Sequence, residues 1–366
     1  MKIGIYTIHA CNNFGALLQA YATAKFLNDN GFEAELVNLV TTSDKTGMNY
    51  RHPWNNLKYA VYNLYAMANP AVRRKISRYQ KFRAMLPLSK PYFTNEEVID
   101  NQPQYDIHLV GSDQVWNVES GKTNPYFFLS FLSQKAVRIS YASSFGNVEV
   151  ARKIRNEIIQ PLSLFRFRSV REQDAADFLT QECNLPTECV LDPTFLLSAS
   201  QWSTLVNDAP LINGNYILYY GFDNSRFCAD ILAFLRKLLG IPVIGVSVSI
   251  HSPYFFDRFC QDAGPIEFLN LIKNASFVIT SSFHGMALSL NFRKDFAVIS
   301  HGSRMSRIES LLKKFHISSR IINDFEGIKK LVENNQRIDY QAIELEISSE
   351  IDKSKSWLLS SIKNTL

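Results

Sequence analysis

Three short polar runs hold the residues best suited to chemistry, and each follows an apolar stretch. Ser281-Ser282-Phe283-His284-Gly285 comes after the apolar segment 276–280 and opens a helical pattern. An imidazole titrates near pH 6.5, so His284 is suited to donating a proton or hydrogen-bonding an anion. The N–H groups and dipole of a helix start favour a phosphate or carboxylate, which brings in Ser281, Ser282 and Gly285. A structural histidine at a helix start is the alternative. Gly111-Ser112-Asp113-Gln114-Val115-Trp116 ends a second apolar segment, where a parallel sheet presents its ligands. Glycine permits a sharp turn, Ser112, Asp113 and Gln114 suit hydroxyl groups, and Trp116 offers a face to a sugar ring. The competing reading is an Asp cap followed by a core Trp. Ser169-Val170-Arg171-Glu172 ends a third segment. Arg171 is a natural fork for a carboxylate or phosphate, unless it pairs with Glu172 or Asp174. Arg304 and Arg307, flanking Met305-Ser306, are either anion ligands or solvated charges.

The elements that must position these groups follow from hydrophobic spacing. An apolar strand at 3–8, a turn containing Asn13 and Gly15, a helix at 16–30 and a strand at 34–39 form a βαβ unit. A helical pair covers 57–68 and 73–86, broken at Asn69-Pro70. Strands at 106–110 and 137–142 follow, the second running into Ser143-Ser144-Phe145-Gly146. After a bridge at 198–215 the alternation restarts, with strands at 216–220, 242–248, 277–280 and 296–300. Such alternation predicts an α/β protein with two doubly wound domains facing one another. We expect an N-terminal domain at 1–197 with an insertion at 45–95, a C-terminal domain at 198–338 and a terminal helix at 339–366.

Composition narrows the classes. The 366 residues are 46% hydrophobic and 20% charged, which fits a globular chain of two ordinary domains. No apolar run reaches the ~18–20 residues of a membrane span, and the first residues read as a strand rather than a leader. Five cysteines, odd in number and without Cys-x-x-Cys, argue against a disulfide framework or cysteine-based zinc site and point to the cytoplasm. No residue cluster demands a metal. The motifs of phosphate-loop ATPases, α/β-hydrolases and zincins are missing. Positions 45–95 carry ten cations and no acid, which leaves the rest of a +5 chain at −5. This charge belongs to one region, so nucleic-acid binding is a poor fit. A basic stretch interleaved with Tyr59, Tyr62, Tyr65, Tyr79 and Phe82 is either a helical hairpin packed on the sheet or a peripheral contact with an anionic membrane face.

Taken in order, the runs resemble the polysaccharide pyruvyl transferase family. The resemblance rests on Asn13-Phe14-Gly15-Ala16-Leu17-Leu18-Gln19-Ala20-Tyr21-Ala22, Gly111-Ser112-Asp113-Gln114-Val115-Trp116-Asn117 and Ser140-Tyr141-Ala142-Ser143-Ser144-Phe145-Gly146. It continues through Ser169-Val170-Arg171-Glu172, Asp192-Pro193-Thr194 and Ser281-Ser282-Phe283-His284-Gly285. It implies a glycosyltransferase-B-like fold and transfer of the enolpyruvyl group of phosphoenolpyruvate onto a sugar as a cyclic ketal, with no cofactor. The acceptor implied is a cell-surface polysaccharide or its lipid-linked precursor. The resemblance also implies that Arg171 and His284 belong to the donor site. Relatives often carry Arg-Leu-His-Gly where this chain has Ser282-Phe283-His284-Gly285. The missing cation would then be supplied by Arg171, Arg304, Arg307 or Lys294.

We therefore expect His284 as acid or phosphate ligand, Arg171 as anion clamp and Asp113 as base or acceptor-binding group. Asn13, Gly15, Gly111, Ser112, Gln114, Trp116, Ser143, Ser281, Ser282, Gly285 and Arg304 are expected to line the substrates. A nucleotide-sugar glycosyltransferase and a non-catalytic sugar-binding protein are the rival readings. All depend on residues 171 and 284 converging in one crevice.

Overall fold

A computed structural model of the chain describes residues 1–207, 209–222, 225–251, 256–300, 305–334 and 336–365. The N-terminal half builds a parallel sheet from β1 (Lys2–Tyr6), β2 (Glu33–Leu36), β3 (Ile107–Val110) and β4 (Arg138–Ser140), in the order β2-β1-β3-β4. β5 (Ser169–Val170) and β6 (Glu188–Cys189) pair with each other, and the bridges Ile139↔Phe167 and Ser143↔Val170 join them beside β4. On the other edge, bridges Leu36↔Leu88 and Leu39↔Tyr92 lay the chain near 88–92 against β2. β3 reads Ile-His-Leu-Val and is buried throughout, as expected of a central parallel strand covered on both faces.

The C-terminal half repeats the plan. β7 (Ile217–Tyr220), β8 (Val243–Val246), β9 (Arg258–Phe259), β10 (Phe277–Thr280), β11 (Phe296–Ile299) and β12 (Ile321–Ile322) lie in the order β12-β11-β10-β7-β8-β9, all parallel. In both sheets the winding reverses beside the first strand, between β1 and β3 and between β7 and β10. Ligands of doubly wound sheets bind at such switch points, beyond the carboxyl ends of the strands.

The two halves share one apolar core, which runs from Ile3 in β1 to Ile362 near the C-terminus. At its centre Phe14, the first residue of the helix Phe14–Asp29, stacks between Tyr79 and Phe268, with ring centroids 5.5 and 4.7 Å away. The terminal helix Tyr340–Lys363 spans both halves. Near its start Tyr340 donates to the Lys294 carbonyl and Glu344 pairs with Arg293 at 2.7 Å. Further along, Ser354 Oγ accepts from Leu191 N–H at 2.9 Å.

The basic insertion is a helical hairpin clasping the C-terminal half. Asn69 ends the helix Leu57–Ala68 and caps the helix Pro70–Arg83, where Pro70 occupies the first-turn position that tolerates its missing N–H. Arg74 and Arg78 pair with Asp262, Arg78 also reaches Glu267, and Tyr50 donates to the Val248 carbonyl. Tyr79 and Phe82 are buried, so the expectation that they face headgroups is corrected: they belong to the core. Among the described residues no helix is long and apolar enough to cross a membrane.

Candidate functional site

Loops from both switch points meet at the carboxyl ends of the strands. The N-terminal half contributes the turn before Phe14, the turn after β3, and Arg171, Glu172 and Asp192 beyond β5 and β6. The C-terminal half contributes the turn after β10, where Ser282 caps the helix Phe283–Asn291.

Arg171 lies at the centre with no exposed side-chain surface. Its Nη1 donates to Asp192 Oδ2 at 2.9 Å and its Nη2 to Asp113 Oδ1 at 3.3 Å, while Nε faces Glu172 Oε1 at 3.5 Å. The Phe283 ring lies against the guanidinium, 4.6 Å from centroid to carbon. Asp192 is satisfied on both oxygens. Oδ2 also accepts from Ser112 Oγ at 2.9 Å, and Oδ1 accepts from Thr194 N–H and Oγ1.

His284 approaches from the opposite half. Its Nε2 lies 3.7 Å from Asp192 Oδ2, too far for a hydrogen bond, and the buried nitrogen has no hydrogen-bond partner among the described residues. The other edge of the ring rests on Gly15, where any Cβ would overlap the imidazole. Glycine is thus required at 15 by close approach, and the helix that Asn13 caps through Ala16 N–H forms one wall of the histidine's slot.

Electrostatics sort the carboxylates. Burial pushes Asp113 upward, but Arg171, His284 and Arg307 outweigh it and hold this carboxyl below its ordinary range. Asp192 is held lower still: burial opposes ionisation, but His284, Arg171 and the Thr194 N–H more than compensate. Glu172 goes the other way. Burial raises it despite Arg171 and the hydroxyl of Ser144, which donates to Oε1. Cys11, in the same turn as Asn13, has its thiol pushed up to about 12 by burial and by the charge of Asp113, so it is no ready nucleophile.

Several expected site residues frame this cluster rather than face a ligand. Ser143 donates to the Gly111 carbonyl, and a methyl group at Gly111 would press on Thr7. Gly285 lies against Thr280, and Ser281 Oγ accepts from Phe222 N–H at 2.8 Å. Asp113 adopts a left-handed backbone, with φ of 70°, a conformation Asp tolerates better than most residues. Gln114 meets Arg307 across the halves: with its amide oxygen turned to the guanidinium, it accepts from Nη1 and Nη2 at 3.0 and 2.9 Å.

Two expectations need correction. Trp116 offers no sugar-stacking face. It is fully buried against Phe128, Phe145 and Phe165, and its Nε1 donates to the Phe127 carbonyl. Arg171 is not an open fork, because its nitrogens already face carboxylates and an incoming anion would have to displace one. Lys294 lies apart from the cluster, lining a cavity of about 600 Å³ near Arg293 and Tyr340. Arg304 falls outside the described residues. The sequence offered Glu172 as a partner of Arg171, and the structure places it beside Nε, but it gave no role to Asp192 or Ser144. The polar run Asp192-Pro193-Thr194, directly after an apolar strand, was the available signal for Asp192.

Comparison with known proteins bears on both fold and family. The chain is similar to the UDP-N-acetylglucosamine 2-epimerase of Rickettsia bellii, with a TM-score of 0.54, 12% identity, and coverage of 99% of this chain and 97% of that one. The Neisseria meningitidis UDP-GlcNAc 2-epimerase bound to UDP-GlcNAc gives 0.53 at 10% identity, with both chains fully covered. The glycosyltransferase SnogD of Streptomyces nogalater gives 0.50 at 10% identity, covering 98% of this chain and 99% of that one. At such identities the likeness shows the fold alone, two Rossmann-like domains arranged as in glycosyltransferases of the B type. No curated protein matches the sequence. The family model for polysaccharide pyruvyl transferase matches residues 13–303, a span that holds Arg171, the three carboxylates facing it, and His284. The chain belongs to the polysaccharide pyruvyl transferase family, and is a transferase.

Proposed function

We propose that this transferase moves the enolpyruvyl group of phosphoenolpyruvate onto two hydroxyls of one sugar, closing a cyclic ketal and releasing phosphate. The sugar would belong to a cell-surface polysaccharide or its lipid-linked precursor. The observation that carries the reading is the buried Nε2 of His284, without a hydrogen-bond partner among the described residues and facing the ionised Asp192.

The balance of atoms sets what the site must do. A proton adds to the methylene carbon, making a methyl group and an oxocarbenium-like C2. One sugar hydroxyl forms a C–O bond at C2, and a second displaces phosphate, breaking the bond between C2 and the phosphate oxygen. Of the two hydroxyl protons released, one balances the methyl and the other leaves with phosphate. His284 Nε2 is the proton donor in this scheme, and Asp192 stabilises the imidazolium by its charge. Arg171 keeps Asp192 and Asp113 ionised and in place. Asp113 is the better-placed hydroxyl acceptor, since it is 16% exposed while Asp192 is fully enclosed.

Replacing His284 by Gln keeps a polar side chain but removes the transferable proton. Acceptor-dependent phosphate release should fall by roughly 10²–10⁴-fold, the usual contribution of general acid catalysis. Turnover near the wild-type rate would remove His284 from the chemistry. Thermal-shift measurements should show stabilisation by phosphoenolpyruvate. Stabilisation by a uridine diphosphate sugar instead would favour a nucleotide-sugar donor.

A further inference from the structure

The helix Leu57–Ala68 turns one face inward and leaves an apolar one outside. Inward, Asn63 is buried and exchanges two hydrogen bonds with the backbone of His52, at 2.9 and 3.0 Å, while Ala66 packs with Val72 and Ile250. Outward, Leu57, Val61 and Leu64 follow one another at four- and three-residue spacing and are 81%, 59% and 59% exposed. Trp54, 61% exposed, lies in the segment that Asn63 pins to this helix. Water-facing residues of this size in one stripe need a partner.

The charge around the stripe says which. Lys58 lies on the same helix beside Leu57 and Val61, and Arg51 and Arg73 lie just before and after the helix. All three are exposed, and none forms an ion pair among the described residues. No acidic residue occurs between positions 45 and 95, and Asp262 and Glu267, which meet the hairpin, are engaged by Arg74 and Arg78. An apolar stripe with an interfacial tryptophan and unneutralised cations has the chemistry of a helix lying in an anionic lipid surface.

We propose that the outward face of Leu57–Ala68, with Trp54, docks this protein on an anionic phospholipid bilayer. Of the neighbouring cations Arg73, Arg74 and Lys75 only Arg73 belongs to this face, since Arg74 is paired with Asp262 and Lys75 is buried. The hairpin also connects this face to the site: Arg83, which ends its second helix, donates to the Cys11 carbonyl and Asn12 Oδ1. That loop leads into Asn13 and Gly15, against which His284 rests. Docking would thus hold the crevice near the lipid surface, whichever donor it uses.

Flotation of the full chain with vesicles tests this without any turnover, so its outcome is separate from that of the donor assignment. The wild type should float with phosphatidylglycerol-containing vesicles at least tenfold more than with pure phosphatidylcholine. The double variant Leu57→Glu/Leu64→Glu should lose at least tenfold, and Lys58→Gln about fivefold, the effect of one cation near a charged surface. Should the double variant misfold, quenching by brominated lipid decides: the wild type should be quenched and Trp54→Phe should not. Failure of the wild type to float, equal flotation of a folded double variant, or equal quenching of Trp54→Phe would each overturn the proposal. So would a wild-type dimer that the double variant splits and that does not float.

Discussion

Of the cations buried where the halves of this protein meet, Arg171 and Lys75 are treated in opposite ways. Arg171 has a carboxylate near each of its three nitrogens, within 3.5 Å. Lys75 has one backbone carbonyl, Ser247, at 2.5 Å, and otherwise the rings of Phe14 and Tyr79 at 5.4 and 6.0 Å. Burial works against both charges. Around Arg171 the carboxylates win and the guanidinium holds its proton more tightly than usual, whereas burial takes the Lys75 ammonium down to about 7. The difference separates a site from a seam. Charges concentrated around Arg171 give a fixed field into which His284 points, whereas Lys75 fills a gap in an aromatic contact.

The sharpest way to break this contrast is to remove the guanidinium. Arg171→Leu would leave Asp113 and Asp192 without their counter-ion in a closed space, and losing one partner of a buried ionic network costs about 3–5 kcal/mol. Urea unfolding at neutral pH should show that loss, together with loss of transfer activity. A change below about 1 kcal/mol, the median for exposed pairs, would mean that the cluster is wetter and weaker than its geometry implies.

A second variant leaves every charge in place and acts where the histidine rests. At Gly15 an added methyl group overlaps the His284 ring, so Gly15→Ala must displace either the imidazole or the start of the helix Phe14–Asp29. Overpacking of this kind costs about 1–3 kcal/mol. Transfer activity should fall far more than stability, because Nε2 is turned away from Asp192. If activity survives while stability drops, the field around Arg171 does not act through His284.

The contrast also shows what could be read from the sequence. The helix at 57–68 and its break at Asn69-Pro70 were legible because hydrophobic spacing and a proline at a helix start are local signals. The doubly wound fold was legible from the repeated alternation of strands and helices. Arg171, His284 and Asp113 stood out because polar turns after apolar strands are local too. Whether Arg171 is free or neutralised depends on Asp113 and Asp192, 58 and 21 residues away, and no spacing rule encodes such a meeting. Trp116 was ambiguous for a related reason: a ring after a turn looks the same in sequence whether it faces a sugar or, as here, Phe128 and Phe165. The inward half of the basic insertion was hidden because its acidic partner, Asp262, lies nearly two hundred residues further on.

The smallest expected effect concerns Lys75, and its sign distinguishes the two cations. With its folded value lowered to about 7 and its unfolded value near 10.4, the unfolded chain binds more protons between those limits. Stability from this group therefore rises with pH across that window, by up to about 1.4 kcal/mol per pH unit. Below pH 7 the buried ammonium's penalty is fully present. Lys75→Met removes the penalty and leaves the Ser247 carbonyl without its donor, a loss of about 1 kcal/mol that offsets part of the gain. The variant should exceed the wild type most near pH 6.5 and lose that lead steadily toward pH 9, as the wild type gains stability and the variant does not. Unfolding free energies at pH 6.5, 7.5 and 9 measure the difference directly. Parallel profiles for the two proteins would mean that Lys75 stays protonated beside Ser247, and the two buried cations would then be treated alike.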